Sequence, residues 1–202
     1  MEPCWCYTIF MNRRKCTVES TDYEIAFPMT VSATVRCPIE LRKLNLNAQT
    51  RSSLIELILE HGDEQNHSSN VKADMTDWFM HDKHREFKQL VIHAESLANE
   101  MTNENIKGMK TFDCWGAVYR KGEETIKHTH WGNLWSWCYY LKVPNDAPPF
   151  RFEDIGESKT SSLDIHPKED DILMFPSWIS HSVPKSQSDD ERIIVAGNIR
   201  TS

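Results

Sequence analysis

Lys127-His128-Thr129-His130-Trp131-Gly132-Asn133, answered further on by Pro176-Ser177-Trp178-Ile179-Ser180-His181, decides how the rest of the sequence is read. In a β-strand, side chains at i and i+2 leave the same face, so the imidazoles of His128 and His130 point the same way. His181 follows Asp171-Ile172-Leu173-Met174-Phe175, an apolar run that reads as a buried strand. Arg192 then opens another apolar strand, Arg192-Ile193-Ile194-Val195-Ala196. Three neutral imidazoles on neighbouring strands suit iron, zinc, copper or nickel. The pattern predicts a mononuclear metal site of His128, His130 and His181 inside a small β-barrel.

Working outward, short strands separated by turns run from Thr111 to the end. They are expected at Phe112–Tyr119, Thr125–His130, Leu134–Val143, Phe150–Glu153, Ile172–Phe175 and Arg192–Ile199, with turns at Lys121-Gly122 and at Pro144–Pro149. Many short strands with regular turn signals predict a sandwich or barrel. Before them, Thr50-Arg51-Ser52-Ser53 offers N-caps for a helix ending near His61-Gly62. Phe87, Leu90, Val91, Ala94, Leu97, Ala98 and Met101 give a second helix over about 84–101 its apolar stripe. His61 and His67 read as residues of a solvated loop; His81, His84 and His93 belong to the region of the second helix, where His93 falls between the core positions Leu90 and Leu97 and reads as structural. Tyr23–Val35 reads as one or two strands with Pro28 at a bend. Residues 1–22 show no clear period and carry the basic patch Arg13-Arg14-Lys15; they read as a loosely held terminus.

The chain has 202 residues and a net charge of −7. That charge argues against general nucleic-acid binding, and no apolar run approaches the roughly 20 residues a membrane helix needs. Met1-Glu2-Pro3-Cys4-Trp5-Cys6 lacks the order of a signal peptide. The six cysteines (Cys4, Cys6, Cys16, Cys37, Cys114, Cys138) show no zinc-type C-x2-C spacing. Free thiols in a reducing cytoplasm, a host-cell cytoplasm if the gene is phage-borne, are the expectation.

Taken together, His128-x-His130, Ser136-Trp137-Cys138-Tyr139-Tyr140-Leu141, Phe175-Pro176-Ser177 with His181, then Arg192 and Asn198 resemble the 2-oxoglutarate- and iron(II)-dependent oxygenases. The nearest likeness is to their phage and bacterial branch, related to prolyl hydroxylases, over about residues 111–200. The resemblance implies a mainly β fold with N-terminal helices (α+β), a double-stranded β-helix or jelly roll. It implies Fe(II), 2-oxoglutarate and O2, and hydroxylation of a C–H bond with release of succinate and CO2. It assigns His128 and His181 to the metal and Arg192 to the distal carboxylate of 2-oxoglutarate, a partner that suits a planar guanidinium. Tyr140 would assist Arg192, Tyr119 would touch the other end of the cosubstrate, and Asn198 belongs to the same motif. Two positions depart from the pattern. His130 stands where the broader family has Asp or Glu, which leaves His130 or a carboxylate such as Glu153 or Asp154 as third ligand. Ile194 stands where many relatives place a Ser.

Two other readings compete. Gly122 and His128-x-His130 also match the start of a cupin motif, and a three-His cupin dioxygenase would need no 2-oxoglutarate; Arg192 discriminates, because a cupin has no general need of it. A non-catalytic jelly roll is the third reading. The domain expectation is an N-terminal extension at 1–22 and one catalytic domain at 23–202, its supporting helices within 23–110 and its β core at 111–202. The substrate, a peptidyl side chain or small molecule, would be chosen by loops Asn145–Pro149, Gly156–Ser162 and Pro184–Asp190; Trp131, Trp135, Trp137 and Trp178 lie close to the motifs and read either as pocket lining or as barrel core. No membrane partner is expected, and a homodimer is admitted.

Overall fold

Short apolar runs alternating with turn residues push the second half of the chain into antiparallel strands, which bury one face and pair their backbone groups. The computed structural model describes residues 5–11, 31–62, 69–102, 106, 108–155 and 161–201. The chain divides into two compact units, Met1–Cys37 and Pro38–Ser202. In the first, β1 (Trp5–Met11) pairs antiparallel with β2 (Val31–Cys37), Trp5 opposite Cys37 and Met11 opposite Val31. A strand therefore replaces the expected aperiodic stretch at 5–11, since its aromatic and β-branched residues suit a strand once a partner is present. The division at 37/38 also lies later in the chain than the expected 22/23. The basic patch at 13–15 and residues 23–30 lie outside the described residues.

The second unit runs β3 (Glu40–Lys43), α1 (Ala48–His61), β4 (Val71–Lys72), β5 (Asp74–Met75), α2 (Met80–Lys83), α3 (Arg85–Met101), β6 (Met109–Tyr119), β7 (Glu124–His128), β8 (Trp135–Lys142), β9 (Phe150–Glu153), β10 (Ser162–Ile165), β11 (Asp171–Pro176), β12 (His181–Val183) and β13 (Arg192–Thr201). A six-stranded sheet has the order β3-β11-β8-β13-β6-β5, and a five-stranded sheet the order β10-β9-β12-β7-β4. The strand pairings within both sheets are antiparallel. This is the double-stranded β-helix that the family resemblance implies, with α1 and α3 against the larger sheet.

The α1 helix starts three residues before the expected Thr50, because Asn47 is its cap and accepts a hydrogen bond from the Thr50 N–H at 2.8 Å. Its Ile58 sits directly on β6: a Cβ at Gly116 would lie 2.3 Å from Ile58 Cγ1, so that strand position must be glycine for the helix to seat. The stripe of α3 is buried as its period predicts, with Phe87, Leu90, Val91, Ala94, Leu97 and Ala98 against the core. His93, expected between the core positions Leu90 and Leu97, is instead exposed. Among the described residues no helix is long and apolar enough to cross a membrane.

Candidate metal and cosubstrate site

β7 and β12 are neighbours in the smaller sheet, and their register sets His128 directly opposite His181. Their ring centroids are 4.4 Å apart. His130 lies just beyond β7, in a turn completed by Gly132 at φ +96°. The turn is pinned because the His130 N–H donates to the Ser177 carbonyl at 2.8 Å. The pattern Phe-Pro-Ser, which ends β11, thus holds the H-x-H turn by its backbone. The three imidazoles each offer a nitrogen, and these atoms lie within 4.8 Å of one another.

The ring nitrogens are already sorted. His128 Nδ1 is 2.7 Å from the Ile126 carbonyl and His181 Nδ1 is 3.0 Å from the Ile179 carbonyl. A carbonyl only accepts, so each Nδ1 carries the proton and each Nε2 keeps its lone pair for a metal. Burial lowers the proton affinity of all three rings, His181 well below the usual imidazole range and His130 to about 3, with neighbouring imidazoles adding to the effect on those two. They are held neutral, as metal ligands must be.

Neither expected carboxylate alternative reaches this cluster. On β9, Phe150 and Phe152 are buried whereas Glu153 lies on the other face of the strand, where it accepts a hydrogen bond from Ser182 and pairs with Lys127 at 3.5 Å. Asp154 pairs with Lys127 Nζ at 2.5 Å. Of the alternatives left by the sequence, the structure groups His130 with His128 and His181, while strand alternation aims Glu153 away.

One narrow cavity runs from the three histidines to Arg192, Tyr140 and Tyr119. Arg192 opens β13 and is 4% exposed, with Nη1 donating to the Pro148 carbonyl at 3.3 Å. Its Nε has no hydrogen-bond partner, and neither has the Tyr140 hydroxyl. The neighbouring Glu191 pairs with Arg120. Burying a guanidinium without a counter-charge is costly, so this end of the cavity is built for an anion. A dicarboxylate fits the donor set: the cation and the phenol take one end, and the three imidazoles face the other. Burial raises the proton affinity of the Tyr140 hydroxyl well above normal, keeping it a donor. Tyr119 is placed differently from expectation. Register sets it opposite Arg192, its ring lies 4.4 Å from the guanidinium carbon, and its hydroxyl bonds Thr125 at 2.8 Å. It supports the Arg192 end of the cavity, not the far end.

Residues 113–198 match the family model described as "Putative 2OG-Fe(II) oxygenase". Over this stretch the chain is similar to the 2OG-Fe(II) oxygenases. Among solved structures, the viral collagen prolyl hydroxylase vCPH from Paramecium Bursaria Chlorella virus-1, in its 2OG complex, is 18% identical with a TM-score of 0.63, over 81% of this chain and 96% of that one. A Pseudomonas putida prolyl-4-hydroxylase gives 17% identity and a TM-score of 0.63, over 81% and 92%. HygX from Streptomyces hygroscopicus, with nickel and 2-oxoglutarate bound, gives 11% identity and a TM-score of 0.60, over 81% and 82%. No curated protein sequence matches the chain.

The donor set suits Fe(II) and 2-oxoglutarate, and two expectations need correction. Asn198 does not line the Arg192 cavity; it donates to Asp113 Oδ1 at 2.8 Å and accepts from Ser136 Oγ at 2.7 Å, so it braces the sheet beside the histidines. Nor do the expected substrate loops Asn145–Pro149 and Pro184–Asp190 line the cleft that reaches the histidines. Residues 145, 147 and 148 border a separate cavity behind Arg192, and residues 156–160 lie outside the described residues. The opening that reaches His128 and His130 is a cleft of about 510 Å³ lined by Trp78, Phe112, Asp113, Trp115 and Trp131. Of the tryptophans singled out from the sequence, Trp131 lines this cleft at 78% exposure while Trp135 and Trp137 are core. Asp113 and Trp115 escaped sequence reading because a strand residue shows no sign of which end of its sheet opens. Their spacing of two, facing Asn198 and Ala196 across the ladder, was the available signal.

Proposed function

We propose that this protein is an oxygenase that hydroxylates a C–H bond of its substrate with release of succinate and CO2, holding iron(II) on His128, His130 and His181 and the distal carboxylate of 2-oxoglutarate on Arg192 and Tyr140. The observation that carries the reading is the buried Arg192, with its unpaired Nε beside the unpaired Tyr140 hydroxyl, at the far end of the cavity that begins at the three imidazoles. Bound iron(II) and 2-oxoglutarate would supply the oxidising chemistry.

The chain's own residues do the rest. Arg192 and Tyr140 fix one end of the cosubstrate by charge-assisted hydrogen bonds, which orient as well as attract. Cation–π contact with Tyr119 holds the guanidinium in place. Apolar walls from Val183, Ile194, Phe150 and Phe175 keep water from the cavity. Ile194 offers no hydroxyl to the carboxylate, which leaves the task to Tyr140. The Ile126 and Ile179 carbonyls keep the ligating faces of His128 and His181 turned inward.

The test is turnover of 2-oxoglutarate to succinate by the iron-loaded protein, with Arg192→Ala and Arg192→Lys beside wild type. The reading expects the alanine variant to lose cosubstrate turnover and the lysine variant to recover part of it. Turnover in Arg192→Ala equal to wild type would end it, and oxygen uptake independent of 2-oxoglutarate would favour the three-His cupin reading.

A further inference from the structure

The cleft outside the histidines has a composition that the reaction as described does not use. Aromatic faces form its wall: Trp78 meets Trp115 edge-on at 4.8 Å, and Phe79 meets Phe112 edge-on at 6.3 Å. Asp113 is its single acidic side chain, and no lysine or arginine lines it among the described residues. Both hydrogen bonds to Asp113, from the backbone and side-chain nitrogens of Asn198, fall on Oδ1 at 2.9 and 2.8 Å. That leaves Oδ2 to a ligand in the cleft. No ion pair with Asp113 forms within 4.0 Å among the described residues, and the Arg200 charge acts on it only from beyond that distance. A carboxylate framed by aromatic faces attracts a cation by charge and by ring quadrupole together. The chain already shows that this wall takes one, since the Arg200 guanidinium stacks 3.6 Å over the Phe112 ring.

We infer that the cleft binds a substrate bearing an ammonium or guanidinium group, anchored on Asp113 Oδ2 between the aromatic faces, with its reacting carbon directed to the histidines. Spacing supports a tethered group over a compact one. Trp115 stands two residues along β6 from Asp113, and its ring lies 6.4 Å from that of His130. At about 3.3 Å per strand residue, the anchor and the metal ligands are on the order of 10 Å apart. The reacting carbon is thus several bonds removed from the charge. The unpaired, buried indole N–H of Trp115 lies between them as a donor for a carbonyl of the same substrate.

The inference takes the cleft as the substrate's because of the oxygenase reading, so its test omits metal and 2-oxoglutarate. The full chain, freed of metal, is titrated with N-acetyl-L-lysine methylamide and with its uncharged isostere N-acetyl-L-norleucine methylamide, following tryptophan fluorescence. The lysine probe should bind at least tenfold more tightly than the norleucine probe. Asp113→Asn keeps the Oδ1 acceptor for Asn198 and should erase that preference. Trp131→Ala, a change in an exposed turn with no bearing on folding, should weaken the lysine probe alone. Equal binding of n-butylammonium would mean that the cleft reads a free amine, and preference for the amide-flanked probe that it reads a peptide side chain. Equal affinity for the charged and uncharged probes, no saturable binding of the lysine probe, or full retention of the preference in Asp113→Asn would overturn the inference. Any of these leaves cosubstrate binding at Arg192 untouched, so the two readings fail separately.

Discussion

Asp113→Asn should make the metal-free protein more stable. Burial pushes the Asp113 carboxyl from an ordinary 3.8 up to about 6, although Asn198 hydrogen bonds and Arg200 pull the other way. Each tenfold change in proton affinity is worth 1.36 kcal/mol, so the strain of keeping this carboxylate ionised at pH 7 is at most about 3 kcal/mol. Asparagine has the same shape and leaves the Oδ1 acceptor to Asn198, so most of that cost should vanish, giving a gain of about 1–3 kcal/mol. For a domain of this size, that is a rise of about 2–10 °C in Tm. The pH dependence has a definite sign. Between pH 3.8 and about 6 the folded protein binds more protons at this residue than the unfolded chain, so wild-type stability falls as pH rises through that window. The advantage of the variant should be full at pH 7 and absent near pH 4. Chemical denaturation with a chelator present, at several pH values from 4 to 7.5, measures both quantities. A variant less stable than wild type at pH 7, or an advantage that does not shrink on acidification, would refute the burial argument. A carboxylate kept at a cost in stability is the pattern of a binding group.

Three further outcomes follow from the geometry. Arg192→Ala should weaken 2-oxoglutarate binding by about two orders of magnitude or more, since charged hydrogen bonds are each worth about 1.5–3 kcal/mol; isothermal titration on the metal-loaded protein reads this. His130→Ala should weaken metal binding at least tenfold (about 1.4 kcal/mol), whereas His130→Asp, which restores an acidic ligand, should keep it; competition with a chromogenic chelator separates the two. Gly116→Ala should destabilise the fold by about 1–3 kcal/mol, because the new methyl would overlap Ile58 and lift α1 from β6; thermal unfolding measures it.

What the sequence made legible was whatever has a local period or a local motif. The α3 stripe, the main strands and the distal His181 are of this kind; the H-x-H pair was legible as a pair, but the expected strand ends at His128 and His130 lies in the turn after it. Boundaries were less legible where a single side chain sets them, as Asn47 does at the start of α1. The edge strands β3, β4, β5 and β10 have two to four residues and an exposed or partly exposed face. They carry too little pattern to register, and β12 begins at a histidine that reads as a ligand before it reads as a strand. The rest of the site depends on register. Nothing local says that Tyr119 faces Arg192, that Glu153 turns outward, or that Asp113 and Asn198 share a hydrogen bond; each follows from which strands pair. The cleft was missed for the same reason, because Trp78, Phe112 and Trp131 come from three separate segments.

The most direct test of the central claim is an anaerobic titration of the iron(II)-loaded protein with 2-oxoglutarate, following the visible charge-transfer band of the chelate in wild type and Arg192→Ala. The geometry predicts a band that saturates in wild type and needs far more cosubstrate in the variant. Iron that binds and gives no band at any 2-oxoglutarate concentration would contradict it.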